Sequence, residues 1–368
     1  MSLVLGLESS CDETSVALLR EDGAIVSSVV SSQIDMHRRY GGVVPEIAAR
    51  AHLTNLPPLL DEAFERACAG LEDVGLVVAT AGPGLVGALL VGLAEARGIA
   101  LGLGVPFVPG HHIEGHALSP FLDMDGAPAR VLPPRFAALV VSGGHSHVFS
   151  FAPERISLLA RTRDDAAGEV YDKVAKMAGL GYPGGPVVDR LARTGRVVEP
   201  FPVARFKGGS LDLSFSGLKT AVRDRLSALG FSPNTGVALR GPALAEGDAP
   251  GELRDLLAAF QESVVAQIED RLDRLLVAAS FPLLTVSGGV AANSLLRERL
   301  AAWGPRRGVE VLLAPRALTA DNAAMVAFAG LLRHRAGVPH EGLSATARSR
   351  WPLESLPSPL PGEPSPID

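Results

Sequence analysis

The sequence predicts an α/β protein built from two similar units, and three observations carry that reading. An apolar strand, a short polar turn and a second apolar strand open the chain at residues 3–19, and the same format returns at 136–151. Each opening leads into apolar strand-like runs alternating with helix-length stretches. The chain, 368 residues with 47% hydrophobic content, has material for two cores.

Taken in order, residues 3–7 are apolar, 9–14 form a polar turn, 16–19 are apolar again, Asp22-Gly23 reverses the chain and 25–30 is a third strand. A helix is predicted over 45–68. A continuous apolar run at 76–80 reads as a buried strand, Gly82-Pro83-Gly84 ends it, and a Gly-rich helix follows to about residue 102. The strand 106–108 then delivers the chain to His111. In the second unit, 136–141 is apolar, Ser142-Gly143-Gly144 turns and 147–151 resumes. Helices are predicted at 168–178, 189–194, 216–229 and 252–279. A last β-α-β-α run takes strand 283–286, turn Ser287-Gly288-Gly289, helix 291–302, strand 309–313 and helix 320–335. Four Gly and three Pro make 232–251 an exposed loop, and six Pro predict a disordered tail over 352–368. The expected division is a first α/β domain over 1–110, completed by the C-terminal helix 323–350, a second over 111–322, and a Pro-rich disordered tail over 351–368.

Charge narrows the function classes. With 34 Lys and Arg against 40 Asp and Glu the net charge is −6, which disfavours an autonomous, non-specific nucleic-acid binder. His37-Arg38-Arg39, Arg297 with Arg299, Arg306-Arg307 and Arg333 with Arg335 offer either phosphate contacts or solvated faces. No continuous apolar run of about 18 residues predicts a membrane span, and residues 1–8 enter a strand directly, so the expected location is cytoplasmic. Cys11 and Cys68 are too few for a disulfide framework or a thiolate metal site.

The run His112-Ile113-Glu114-Gly115-His116 is the most informative segment. On a helix, residues four apart lie roughly 40° apart around the axis, so both imidazoles can meet one metal ion. Glu114 falls on roughly the opposite face. A metalloprotease HExxH motif instead places its Glu directly after the first His, within reach of metal-bound water. Three turns share a second format of apolar strand followed by small, Gly or polar residues: Ser9 to Thr14, Ser142-Gly143-Gly144-His145-Ser146, and Ser287 to Asn293. Glycine lets backbone N–H groups approach a phosphate, and the same turns also serve as ordinary connectors.

These segments resemble the tRNA threonylcarbamoyladenosine transferase family, once called glycoproteases. The resemblance rests on Glu8-Ser9-Ser10-Cys11-Asp12-Glu13-Thr14, the His112–His116 run, Val141-Ser142-Gly143-Gly144-His145 and Asp165-Ala166-Ala167-Gly168-Glu169. It continues through Asp172-Lys173, Tyr182-Pro183-Gly184-Gly185-Pro186, Phe215-Ser216-Gly217-Leu218-Lys219, Ser287 to Asn293, and Thr319-Ala320-Asp321-Asn322. It implies the duplicated two-domain fold of the sugar kinase, Hsp70 and actin superfamily, with a nucleotide cleft between the domains. It further implies one divalent transition metal on His112, His116 and Asp321, with Fe(2+) favoured over Zn(2+). Such a two-His, one-carboxylate set leaves coordination positions open. Taken alone, Asp321 also reads as an acid in the first turn of a helix.

By the same resemblance Val140, Val141, Ser142, Gly143, Gly144, Asp172, Gly185, Asp189 and Asn293 form the nucleotide-substrate pocket. The implied reaction moves a threonylcarbamoyl group from threonylcarbamoyl-adenylate to the exocyclic amine of the adenosine 3′ of a tRNA anticodon, releasing AMP. Asp12 or Glu13 is the candidate for removing the amine proton, with a structural turn role as the alternative. Implied partners are tRNA, a paralogous non-catalytic subunit and a small P-loop ATPase, with no membrane. Rival readings are a small-molecule kinase, which leaves the metal set unexplained, and a nucleotide-binding scaffold without catalysis.

Overall fold

The computed structural model describes residues 2–204, 206, 209–231 and 249–361. Buried hydrophobic strands open each unit. β1 (Leu3–Glu8) is buried along its whole length and pairs antiparallel with β2 (Glu13–Arg20), which pairs antiparallel with β3 (Ile25–Ser32). The chain passes through the short α1 (Ile34–Arg38) and the long α2 (Pro45–Ala67) into β4 (Val74–Gly82), parallel to β1. α3 (Val86–Leu103) leads to β5 (Phe107–His111), parallel to β4, and α4 (His112–Leu118) follows at once.

The second unit repeats the scheme. β6 (Phe136–Val141), β7 (Ser146–Ala152) and β8 (Arg155–Arg161) form an antiparallel meander. Among the described residues four helices then intervene: α5 (Ala167–Met177), α6 (Gly184–Ala192), α7 (Ser216–Ala228) and α8 (Gly251–Ala278). β9 (Leu283–Ser287) joins parallel to β6, α9 (Ser294–Arg307) follows, and β10 (Glu310–Leu313) lies parallel to β9 before α10 (Ala323–Arg335). The sheet orders are β3-β2-β1-β4-β5 and β10-β9-β6-β7-β8. Numbered from its own first strand, each sheet runs third, second, first, fourth, fifth with the same strand senses, so the expected duplication is present.

The two lobes share their inner helices. α10 lies on β1, β2, β4 and β5, whereas α4 lies against β6 and β9, and the two helices pack on each other. One hydrophobic core therefore draws on both sheets, joining Val4, Leu76 and Val108 to Phe136, Ala138 and Leu283 through Ile113 and Ala117 of α4 and Val326 and Phe328 of α10. Glu114 and Arg333 cross this joint as a buried bidentate ion pair, with Nε and Nη2 donating to the carboxylate at 2.5 and 2.7 Å. Removing either partner would strand a charge in the core.

Several expectations change. β8 and α1 are additions to the predicted elements. α6 begins at Gly184 rather than 189, because Pro183 stands at its N-cap and Pro186 fits the first turn. α10 begins at Ala323 rather than 320, because Asn322 is its cap, accepting a hydrogen bond from the Met325 N–H at 2.9 Å. Part of the tail is ordered: Leu353 opens a 3₁₀ turn, and Leu353 and Leu360 are buried in the shared core, where apolar contact outweighs the proline content. Residues 362–368 and most of the 232–251 loop lie outside the described residues. Among the described residues one helix, α3, is long and apolar enough to cross a membrane. Its Ala88, Leu89, Leu93 and Ala96 are instead buried against the first lobe.

Candidate metal centre and nucleotide cleft

β5 ends at His111 and α4 starts at the next residue, so a structural and a ligating imidazole stand side by side on one bend. His111 is the structural one. Its Nδ1 accepts from the Glu114 N–H at 3.3 Å, capping α4, and its Nε2 donates to the Trp351 carbonyl at 2.9 Å. Burial pushes this imidazole down to about 3, so it stays neutral.

His112 and His116, one helical turn apart, turn their rings together at 4.7 Å between centroids. Asp321 reaches both: its Oδ1 lies 3.0 Å from His116 Nε2 and 3.6 Å from His112 Nε2. The ligand atoms of the three residues all lie within 4.8 Å of one another. Because Asn322 caps α10, Asp321 sits before the helix with its carboxylate aimed at the cleft, and the helix-dipole reading is not needed.

The donor set fits a divalent transition metal on two grounds. First, His112 Nδ1 donates to Glu8 Oε2 at 3.2 Å and lies 3.1 Å from Ser10 Oγ, which turns Nε2 to the Asp321 side, where a metal ion would take the place of its proton. Glu8 is itself fixed by Thr80 Oγ1, which donates at 2.6 Å, and by the Ser10 N–H. Second, negative charge crowds the site. Burial, Asp321 and Asp12 together push the Glu13 carboxyl up to about 9, a repulsion that a cation relieves. Burial opposes ionisation of Asp321, yet His112 and His116 hold its carboxyl well below the usual carboxylate range. Burial likewise acts against a charged His112, but Asp321 and Glu8 raise it to about 9.

A cleft of about 1380 Å³ runs between the lobes. Its walls include Ser10, Cys11, Asp12, Glu13, His112 and Asp321 on one side, and Ser142, Gly143, Gly144, His145, Asp172 and Gly289 on the other. Val140 and Val141 lie beneath the glycine turn, fully buried in β6. Asp172 borders the cleft and accepts from the Gly184 N–H at 2.7 Å, which positions the α6 turn that carries Gly185. Asp189 accepts from Ser294 Oγ at 2.7 Å and from the Ser294 N–H. Asn293 caps α9 by accepting from the Leu296 N–H at 3.0 Å and donates to Gln261 Oε1 at 2.9 Å. These two residues thus hold the wall behind the turn. Burial also pushes the Cys11 thiol far up, consistent with an inert thiol.

Sequence reasoning missed Glu8 as part of the site. Its signal was a carboxylate ending an otherwise apolar strand, where burial of an acid requires partners. The basic clusters also resolve. Arg297 donates to the carbonyls of Ala291 and Ala314, Arg299 and Arg307 pair with Glu269 and Asp273, and Arg333 is the core partner of Glu114, so none of these four is a free phosphate contact. Glu114 points away from the metal face, as its helical position requires.

Residues 24–328 match the family model described as tRNA N6-adenosine threonylcarbamoyltransferase. A protein of that name from Syntrophotalea carbinolica is 42% identical over 361 residues, covering 98% of this chain and 99% of the relative. Another from Thermus thermophilus is 43% identical over 352 residues, covering 95% and 99%. Among solved structures, T. kodakarensis HypF superposes with a TM-score of 0.58 at 13% identity, covering 91% of this chain and 48% of that one. Full-length HypF in its phosphate- and nucleotide-bound form gives 0.57 at 11%, covering 91% and 46%. These structural likenesses bear on the fold alone, a pair of five-stranded mixed sheets with matching strand order. The sequence matches bear on the chemistry: this chain belongs to the tRNA N6-adenosine threonylcarbamoyltransferase family.

Proposed function

We propose that the chain transfers the threonylcarbamoyl group of threonylcarbamoyl-adenylate to the exocyclic amine of the adenosine at position 37, 3′ of the tRNA anticodon, with release of AMP. The observation that carries this reading is the convergence of His112, His116 and Asp321, with His112 and Asp321 bordering the same cleft that the open Gly143-Gly144 turn faces. The amine nitrogen forms a bond to the carbamoyl carbon, the bond from that carbon to the phosphate oxygen breaks, and AMP leaves with the electron pair. The substrate is already activated, so the protein's work is positioning, polarisation and exclusion of water.

His112, His116 and Asp321 would hold the metal, with Fe(2+) favoured over Zn(2+), and a bound metal supplies Lewis-acid stabilisation of developing charge. The Val140–Gly144 turn and Asp172 would receive the nucleotide part, with Gly185, Asp189 and Asn293 shaping the wall behind. Asp12 and Glu13 both border the cleft and are the candidates for accepting the amine proton. Accessory proteins, a paralogous subunit and a small P-loop ATPase, complete the proposal. A net charge of −6 gives the lone chain little general attraction for tRNA, and Val86, Leu90 and Leu101 leave one face of α3 exposed for a partner. The reaction is set in the cytoplasm.

The test is incubation of the metal-loaded chain, with its accessory proteins, with tRNA and synthetic threonylcarbamoyl-adenylate, followed by nucleoside analysis. Threonylcarbamoyladenosine should accumulate. Its absence, or metal-dependent cleavage of peptides by the folded chain, would overturn the reading.

A further inference from the structure

Arg299, Arg307 and Arg333 are neutralised in place, yet the mouth of the cleft reverses that pattern. Arg39, Lys176 and Arg350 all border the cleft and are all exposed. Among the described residues, none of the three has a carboxylate oxygen within 4.0 Å. They arrive from three distant segments: the loop after α1, the last turn of α5 and the strap that follows α10.

These segments are held firmly. His37 is fully buried, its Nδ1 accepts from the Val44 N–H at 3.3 Å, and its Nε2 lies 3.2 Å from Gln33 Oε1, so the loop is pinned at both ends. Arg38 Nε donates to the Tyr182 carbonyl at 3.3 Å, carrying the loop of the first lobe across to the second. Lys176 faces it there, with Nζ 3.5 Å from where a Cβ on Gly41 would stand. The strap is anchored on both sides of Arg350: the Arg348 N–H donates to the Ala81 carbonyl at 2.8 Å, and the Trp351 carbonyl accepts from His111.

Beside these cations, Tyr40 is 48% exposed, with the Arg39 guanidinium 4.8 Å from its ring centroid. An exposed ring on a braced loop next to uncompensated cations suits a single-stranded nucleic-acid loop, since the ring can take a base face while the cations take phosphates. The cleft interior is acidic at Asp12, Glu13 and Asp321, so attraction for a polynucleotide is confined to the mouth.

We infer that Arg39, Lys176 and Arg350 clamp phosphates of the tRNA anticodon loop and that Tyr40 stacks on a base next to the target adenosine. This rests on the reading of the cleft as the transferase site. It makes the mouth a device for recognising splayed single strands over duplex.

The test uses the full metal-loaded chain with its accessory proteins. In Arg39→Ala/Lys176→Ala/Arg350→Ala, KM for tRNA should rise roughly ten- to a hundredfold with KM for the adenylate unchanged. The slope of log KM against log salt should fall by about 2, at roughly 0.7 per phosphate contact on a single strand. Tyr40→Ala should raise KM for tRNA at least about fivefold, and Tyr40→Phe should restore it, because stacking needs the ring and not the hydroxyl. Direct binding of a fluorescent anticodon stem-loop gives the same comparison without turnover. If wild type binds the stem-loop more tightly than the triple variant but modifies nothing, the clamp stands and the transferase reading falls. Unchanged affinity and salt slope in the triple variant, or equal binding of wild type to a blunt duplex, would overturn the clamp.

Discussion

The first strands of the two sheets end at corresponding places, and the turns that leave them differ in chemistry. β1 ends in Glu8 and is followed by Asp12 and Glu13, whereas β6 ends in Val141 and is followed by Ser142, Gly143 and Gly144. One turn gathers three carboxylates beside His112. The other carries no acid and leaves its backbone bare to the cleft. The duplicated frame therefore supplies two equivalent positions and the side chains assign them opposite tasks, one suited to a cation and a proton, the other to an anionic, acyl-adenylate ligand. The cost of concentrating acid in the first turn shows at Glu13, which is pushed up to about 9.

The lobes can serve opposite tasks only if they stay in register, so the largest expected effect lies at their joint. Arg333→Met leaves Glu114 charged or newly protonated in the core and should destabilise the fold by about 3–5 kcal/mol. Adding Glu114→Gln should recover more than half of that loss. Chemical denaturation measures both, and a loss below about 1 kcal/mol in the single variant would show that the ion pair does not hold the lobes.

The glycine turns sharpen the comparison. Gly288 has φ +89° and an added Cβ would stand 2.4 Å from the Val141 carbonyl oxygen, so Gly288→Ala should cost about 1–3 kcal/mol of stability. At Gly143 an added Cβ meets nothing within 4 Å. Gly143→Ala should leave stability within about 0.5 kcal/mol of wild type while raising KM for the adenylate roughly tenfold. Equal effects of the two on stability would remove the argument that Gly143 is bare for the sake of a ligand.

Glu8→Gln probes the acidic turn without touching a ligand of the metal. Loss of the carboxylate that orients His112 should weaken metal affinity about 10- to 100-fold, measured by competition with a chelator. Unchanged affinity would assign Glu8 to packing alone.

The acid side of the stability profile separates the lobes more gently. Asp164 is held below the usual carboxylate range despite burial, because Ser214, Ser216 and the Phe215 N–H donate to it. Asp165 is held down likewise, against burial, by Lys173 and Lys219. Both are second-lobe groups whose folded values lie below their unfolded ones. Their contribution is present above the unfolded value of about 3.9 and is lost as pH falls through the folded values. Thermal melts from pH 7 to pH 3 should show Asp165→Asn with less remaining stability to lose below about pH 4 than wild type. A parallel decline in both proteins would contradict that assignment.

Local patterns in the sequence made much of this legible. Apolar runs of strand length bounded by Gly and polar turns marked nine of the ten strands among the described residues, and the i, i+4 spacing of His112 and His116 marked one face of a helix. β8 escaped because it is an edge strand with exposed Arg155 and Arg161 at its ends and only Ile156 and Ala160 buried, and Ser157 breaks its apolar run. What local pattern cannot show is which distant groups meet. Asp321 lies 205 residues from His116 and Arg333 lies 219 from Glu114, and only the crossing of α4 and α10 brings them together. Glu8 was hidden for the same reason, since its meaning depends on Thr80 and His112 rather than on its neighbours in the chain.

Metal content tests the division of labour most directly. Elemental analysis of purified, folded His116→Ala should show most of the bound transition metal lost, while Gly143→Ala, across the same cleft, should retain the wild-type amount. Wild-type metal content in His116→Ala, or loss of metal in Gly143→Ala, would contradict the account.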